Sequence, residues 1–151
     1  MLILLHALEK SKFIADGTYV CKITGRYQIT NIQNLLESFN HEKVDIYGLD
    51  KFNFQFIDSR IFIARKDFYS DFLFKFLSQL NDSEGVYFEH CLAKAVLHAM
   101  ASGLIFIPFK YLPRIMGQSG TDGRFYNSSI FHWLPRNLIQ LLRFYLHKIN
   151  L

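Results

Sequence analysis

The chain has 151 residues, the length of one domain with a substantial core. Half of its residues are hydrophobic and 20% are charged, which excludes a disordered chain, and its 16 Phe and 8 Tyr suggest a thick core or aromatic surface meant for a partner. A net charge of +4 with no Lys/Arg run of five excludes the concentrated basic face of a nucleic-acid binder, while anionic ligands and anionic lipid surfaces fit it.

In chain order, Leu2, Leu5, Leu8 and Phe13 predict a short buried helix over residues 1–13. No capping residue precedes it, so the helix reads as one entered partway along. Ala15-Asp16-Gly17 is a turn, and Thr18 to Ile23 is the first strand. Residues 28–38 predict a helix, with Ile29, Ile32, Leu35, Leu36 and Phe39 on one side. A short strand is expected over 44–47. Phe52, Phe54 and Phe56 alternate with Asn53 and Gln55, which predicts another strand. Residues 59–64 predict a fourth, more continuously apolar and so more buried.

The pattern then switches to helix over 66–80, with Phe68, Phe72, Leu73, Phe76 and Leu77 as a core-facing stripe. Residues 86–102 predict a long helix closed by Gly103 at the C′ position. Leu104 to Ile107 is a buried strand ended by Pro108. Residues 112–130 read as irregular, and 137–149 as a last amphipathic helix. Strands and helices roughly alternate, which points to the α/β class.

Three places carry candidate chemistry. In Cys21-Lys22-Ile23-Thr24-Gly25-Arg26-Tyr27 a strand delivers two cations, a hydroxyl and an aromatic ring onto a glycine turn. The end of a strand in a parallel sheet is where ligands bind, so this turn suits an anionic or sugar-bearing molecule. An ordinary strand-end turn with solvated charges has the same composition. Glu89 and His90 stand near the start of the long helix, where a carboxylate is stabilised by free amides and can act as a general base; it can equally just complement the helix dipole. Gly117 to Tyr126, with Ser119, Gly120, Thr121, Gly123 and Arg124, resembles an anion nest, although a plain flexible loop would look alike.

The six His residues form no ligand box and there is no Asp-x-Asp, so no metal or other cofactor is assigned. Cys21 and Cys91 make no disulfide framework, and reduced thiols imply a cytoplasmic protein. No apolar run reaches the roughly 18 residues of a membrane span. The last helix sets Leu138, Leu141, Leu142, Tyr145 and Ile149 against Arg136, Arg143, His147 and Lys148. Such a helix can lie on the inner face of an anionic membrane, or pack onto its own domain.

The order of these motifs resembles bacterial glycosyltransferase-like proteins of surface-polysaccharide (capsule, lipopolysaccharide) biosynthesis, related to the GT-A nucleotide-sugar transferases. The residues that carry it are Lys-Ile-Thr-Gly-Arg-Tyr at 22–27, Glu89, Ile107-Pro108 and Gly-x-Ser-Gly-Thr-x-Gly-x-x-Tyr at 117–126. The resemblance implies a partial GT-A-like mixed sheet flanked by helices over residues 1–135, the C-terminal half of such a domain, with 136–151 as a basic C-terminal helix. It implies transfer of a sugar from a nucleotide sugar to an acceptor hydroxyl, with Glu89 as base. Lys22, Thr24, Gly25, Arg26 and Tyr27 would stand where such enzymes carry Asp-x-Asp, so Lys22 and Arg26 would neutralise the diphosphate in place of a divalent metal. His90, Gly117, Ser119, Gly120, Thr121, Gly123, Arg124 and Tyr126 would help bind donor or glycan acceptor. The opening strand-helix-strand that binds the nucleoside has no room before Thr18, so a truncated or split protein is expected. The alternative expectation is a non-catalytic interaction domain that completes its sheet with a partner chain or a missing N-terminal half.

Overall fold

A computed structural model of the chain describes residues 2–118, 123, 125, 126 and 129–149. The described residues form a mixed α/β fold: a mixed sheet flanked by helices, with two smaller sheets beside it.

Two short helices, α1 (Leu2–Lys10) and α2 (Lys12–Ala15), lead into strand β1 (Tyr19–Ile23). The break between them falls at Ser11, whose side chain caps α2 by accepting from the Ile14 amide. Strand β2 (Tyr27–Ile29) and helix α3 (Ile32–Glu37) follow, then β3 (Ile46–Gly48), β4 (Asp50–Lys51), β5 (Phe56–Ile57) and β6 (Ile61–Arg65). The helix predicted over 28–38 is therefore shorter, because Tyr27–Ile29 pairs with a strand far along the chain. The strand predicted from Phe52, Phe54 and Phe56 is a chain reversal instead. Phe52, Asn53 and Phe54 have φ of 52°, 53° and 62°, in the left-handed region, and join β4 to β5 as an antiparallel pair. Packing holds this unfavourable backbone: the Phe54 ring meets Phe106 edge-on at 5.1 Å, and Phe52 meets Phe56 at 6.3 Å.

Helix α4 (Lys66–Phe68) runs through a π-helical stretch, Tyr69–Leu73, into α5 (Phe74–Leu77). Helix α6 (Phe88–Ala101) is the long helix predicted over 86–102. It closes as expected: Gly103 has φ of 95°, its amide bonds the Met100 carbonyl, and the Leu104 amide reaches back to Ala99 at 3.0 Å. Strand β7 (Phe106–Pro108) follows. The segment read as irregular contains β8 (Ile115–Gln118) and β9 (Phe125–Tyr126). Helix α7 (Ile130–Ile149) begins seven residues before the predicted start, so the expected boundary at 135/136 falls inside it.

The main sheet has the order β1-β6-β3-β7. Only β3 and β7 are parallel; β1 runs antiparallel to β6, as β6 does to β3. The turn after β1 thus lies at the exit of an edge strand in a mixed sheet, and not at a parallel strand end. Strand β6 is central and buried on both faces, which explains its unbroken apolar run. Phe62 and Ala64 face a core built with Phe68, Leu73, Leu92, Val96 and Phe106, and Ile61 and Ile63 face a second one with Leu35, Tyr47 and Phe109. Helices α4 to α6 thus cover one face. Helix α3 and the small β2-β8-β9 sheet cover the other.

Helix α7 packs against the fold through polar groups. Buried Asn137 accepts from the Leu112 amide at 2.8 Å, and buried Gln140 donates to the Phe109 carbonyl. The His147 ring bonds the Phe106 carbonyl at 3.1 Å, and Arg143 pairs with buried Asp50 at 2.8 Å. These side chains satisfy the outer edge of β7 and the loop after it, so α7 covers one edge of the main sheet.

Candidate functional site

Between the main sheet, the small sheet and the start of α7 lies a cavity of about 600 Å³. The turn after β1 contributes Thr24, Arg26 and Tyr27. The end of β5 and the loop before β6 contribute Phe56, Asp58, Ser59 and Arg60, and β4 contributes Lys51. Glu89 enters from the first turn of α6. Arg114, Tyr126, His132, Trp133 and Arg136 close the opposite wall.

Five fixed cations (Arg26, Lys51, Arg60, Arg114 and Arg136) thus share the cavity with two carboxylates, Asp58 and Glu89, so its field favours an anion. Asp58 is committed to structure. Burial alone would raise its pKa, but the hydrogen bond and charge of Arg60, with Lys51 at 3.0 Å, hold it well below the usual carboxylate range. Arg60 in turn lies 5.1 Å from the Tyr126 ring centre, and Arg114 lies 5.6 Å from that of Trp133. Arg26 and Arg136 are exposed, and neither side chain has a hydrogen bond or ion pair among the described residues. Tyr27 and Tyr126 meet edge-on at 5.8 Å.

Glu89 accepts a hydrogen bond from the buried Ser59 hydroxyl at 2.5 Å. The Ser59 carbonyl receives the Lys22 ammonium, which also donates to Thr24 Oγ1 at 2.9 Å and lies 5.3 Å from the Phe88 ring centre. Burial pushes the Lys22 pKa down, and the nearby charges of Glu89 and Asp58 offset part of that shift. An ammonium held this way ties β1 to the loop before β6.

Several residues singled out in the sequence therefore meet: Thr24, Arg26, Tyr27, Glu89 and Tyr126 line one cavity. Others do not. Lys22 is turned to Thr24 and Ser59 and does not line it, so it is not paired with Arg26 in gripping an anion there. His90 is also outside the lining. Its Nδ1 accepts from the Tyr87 amide at 3.0 Å and its ring packs 4.1 Å from Phe56, so it caps the helix start. Gly25 and Gly117 line a shallower cavity of about 400 Å³ behind Arg26 and Tyr27. A side chain at Gly25 would meet no atom within 4 Å. The close backbone approach is made by Gly117, where an added Cβ would stand 2.5 Å from the Arg26 carbonyl. Gly123 accepts from Gln118 Nε2 at 3.1 Å. Ser119, Gly120, Thr121 and Arg124 lie outside the described residues.

Sequence reasoning missed Lys51, Asp58, Ser59, Arg60, Arg114 and His132 as cavity residues. The one local signal was Asp58-Ser59-Arg60, a charged pair two apart just before a buried strand. Among the described residues no three His, Cys, Asp or Glu side chains are grouped to hold a metal ion. Likewise, no helix is long and apolar enough to cross a membrane. No family model, curated protein or solved structure matches the chain.

Proposed function

We propose that this cavity binds a nucleotide sugar and that the chain is a sugar-transfer protein of cell-surface polysaccharide assembly, with a GT-A-like sheet. The observation that supports this reading is the placing of Arg26, Arg60, Arg114 and Arg136 in one cavity with Glu89. The exposed guanidinium groups of Arg26 and Arg136 bind the diphosphate through bidentate hydrogen bonds, Arg60 and Arg114 add their charge, and Tyr27, Tyr126 and Trp133 offer ring faces to base and sugar. Glu89 takes the proton of the acceptor hydroxyl as its oxygen bonds the anomeric carbon. The bond from that carbon to the phosphate oxygen breaks, and the nucleoside diphosphate leaves with the electron pair. The arginines stabilise the charge that develops on it.

The test is calorimetric titration with UDP-, GDP-, dTDP- and CMP-activated sugars. One of them binds with Kd below about 1 mM, and replacing Arg26 by Ala weakens it. If none binds, the reading fails.

A second reading, a non-catalytic interaction domain, is favoured by β1. It is an edge strand whose Cys21 and Ile23 are exposed, and among the described residues no strand pairs with its outer side. Light scattering separates the two, since a clean monomer counts against sheet completion by a second copy.

A further inference from the structure

The geometry points to α7 as a membrane-surface helix that seats the protein on an anionic bilayer. The inference stands on the outer face of the helix and does not depend on the chemistry of the cavity. Amphipathic helices normally turn their apolar face inward. Here the inward face is mixed, with Asn137 and Gln140 4% and 3% exposed beside half-buried Trp133 and Phe144, while the outward face is apolar, with Phe131 and Leu142 83% and 65% exposed. Leu134, Leu138, Ile139 and Leu146 continue the outer stripe, each at least half exposed. At 1.5 Å per residue, the stripe from Phe131 to Leu146 runs along about 22 Å of α7. An apolar patch of that length on a domain surface marks an interaction site.

Charge selects the occupant. Residues 130–149 contain no Asp or Glu, but include Arg136, Arg143 and Lys148. Arg136 and Arg143 are seven apart and share one border of the stripe. Arg143 pairs with Asp50 but keeps 48% of its side chain exposed, and Arg136 is exposed without a side-chain ion pair among the described residues, so two copies packed stripe to stripe would gain no carboxylate from either helix to answer Arg136. An anionic bilayer answers both features, taking the apolar side chains at the acyl boundary and the cations among its headgroups. The helix lies in the plane of the surface, because it is not apolar enough to cross a membrane. His132, Trp133 and Arg136 line the cavity from this same helix, so docking places the cavity beside the lipid surface.

The test is sedimentation of the full chain with phosphatidylglycerol vesicles and with phosphatidylcholine vesicles. The wild type pellets with the first, far less with the second, and is released at about 0.5 M NaCl, where exposed charges are screened. Leu138→Gln with Leu142→Gln, both at exposed positions, keeps the helical circular dichroism and binds phosphatidylglycerol about tenfold or more weakly. Failure of the wild type to pellet with phosphatidylglycerol overturns the inference. So does equal binding to both lipids, or an undiminished double variant. A dimer in light scattering that the double variant dissolves, with no vesicle binding, assigns the stripe to a second copy and overturns it as well.

Discussion

The hydroxyl of Ser59 donates to Glu89 across a separation of 30 residues, fixing a carboxylate of α6 against the loop that opens the central strand. The bond joins the pieces of the fold that carry the two ends of the proposed chemistry. Ser59 is buried, so its direction is set by the core and not by solvent.

Glu89→Gln keeps the shape and removes the proposed base. Sugar transfer falls by roughly 10²- to 10⁴-fold in kcat, while donor affinity by calorimetry is unchanged. Ser59→Ala removes only the orienting donor, and kcat falls about tenfold with donor KM unchanged. Equal effects on kcat and donor affinity in Glu89→Gln would remove the base assignment.

Under the proposed function Arg26 is a ligand-binding group and Lys22 part of the scaffold. Arg26→Ala leaves urea stability within about 0.5 kcal/mol, because Arg26 is exposed and without a partner among the described residues. Its nucleotide-sugar affinity falls about 10- to 100-fold with the loss of a charge-assisted bond. Lys22→Ala behaves in the opposite way, losing about 1–2 kcal/mol of stability as Thr24 and Ser59 lose their donor, with affinity little changed. The reverse pattern would return Lys22 to the site.

Asp58 sets a pH dependence. Its folded pKa is depressed below the unfolded value, so its stabilisation is full above about pH 4 and is lost as pH falls toward the folded pKa. Arg60→Met leaves the buried carboxylate with Lys51 and the backbone amide of residue 60, costs about 3 kcal/mol at neutral pH and raises the midpoint of acid unfolding. Acid titration followed by circular dichroism checks both; an unmoved midpoint would show that Asp58 does not control it.

Gly117 has φ of 135°, and an added Cβ would strike the Arg26 carbonyl, which is backbone and cannot swing away. Gly117→Ala therefore costs about 1–3 kcal/mol in thermal unfolding and displaces β2 from β8, taking Arg26 with it. Ligand affinity falls together with stability. Gly25→Ala, where nothing stands within 4 Å, is silent on both counts.

What the sequence disclosed follows from the range of each interaction. Helix α6 and strand β6 were legible because their apolar periods and the Gly103 cap are local. Strand β2 was not, since its partner β8 lies more than 80 residues on and only three residues carry the pairing. The period-two run of Phe52, Phe54 and Phe56 misled because Phe52 to Phe54 are held left-handed by rings that pack elsewhere. Glu89 and Arg26 were legible as motif residues, whereas Arg60, Arg114 and Arg136 become cavity residues only when three separate segments converge. The two faces of α7 were visible as a pattern. Which face meets the domain was not, because that depends on the unpaired amides and carbonyls of the β7 edge.

Arg26 stands in the turn before the small sheet and Tyr27 on its first strand, while Ser59 stands in the loop before β6 and Glu89 on α6, and the two sheets meet in the core that holds Ile29, Ile115, Ile61 and Ile63. A molecule that touches both groups at once adds a second tie, on the open side of the cavity, to the core that the two sheets already share. Occupancy would then stiffen the entire scaffold, making guest and host melt as a single unit.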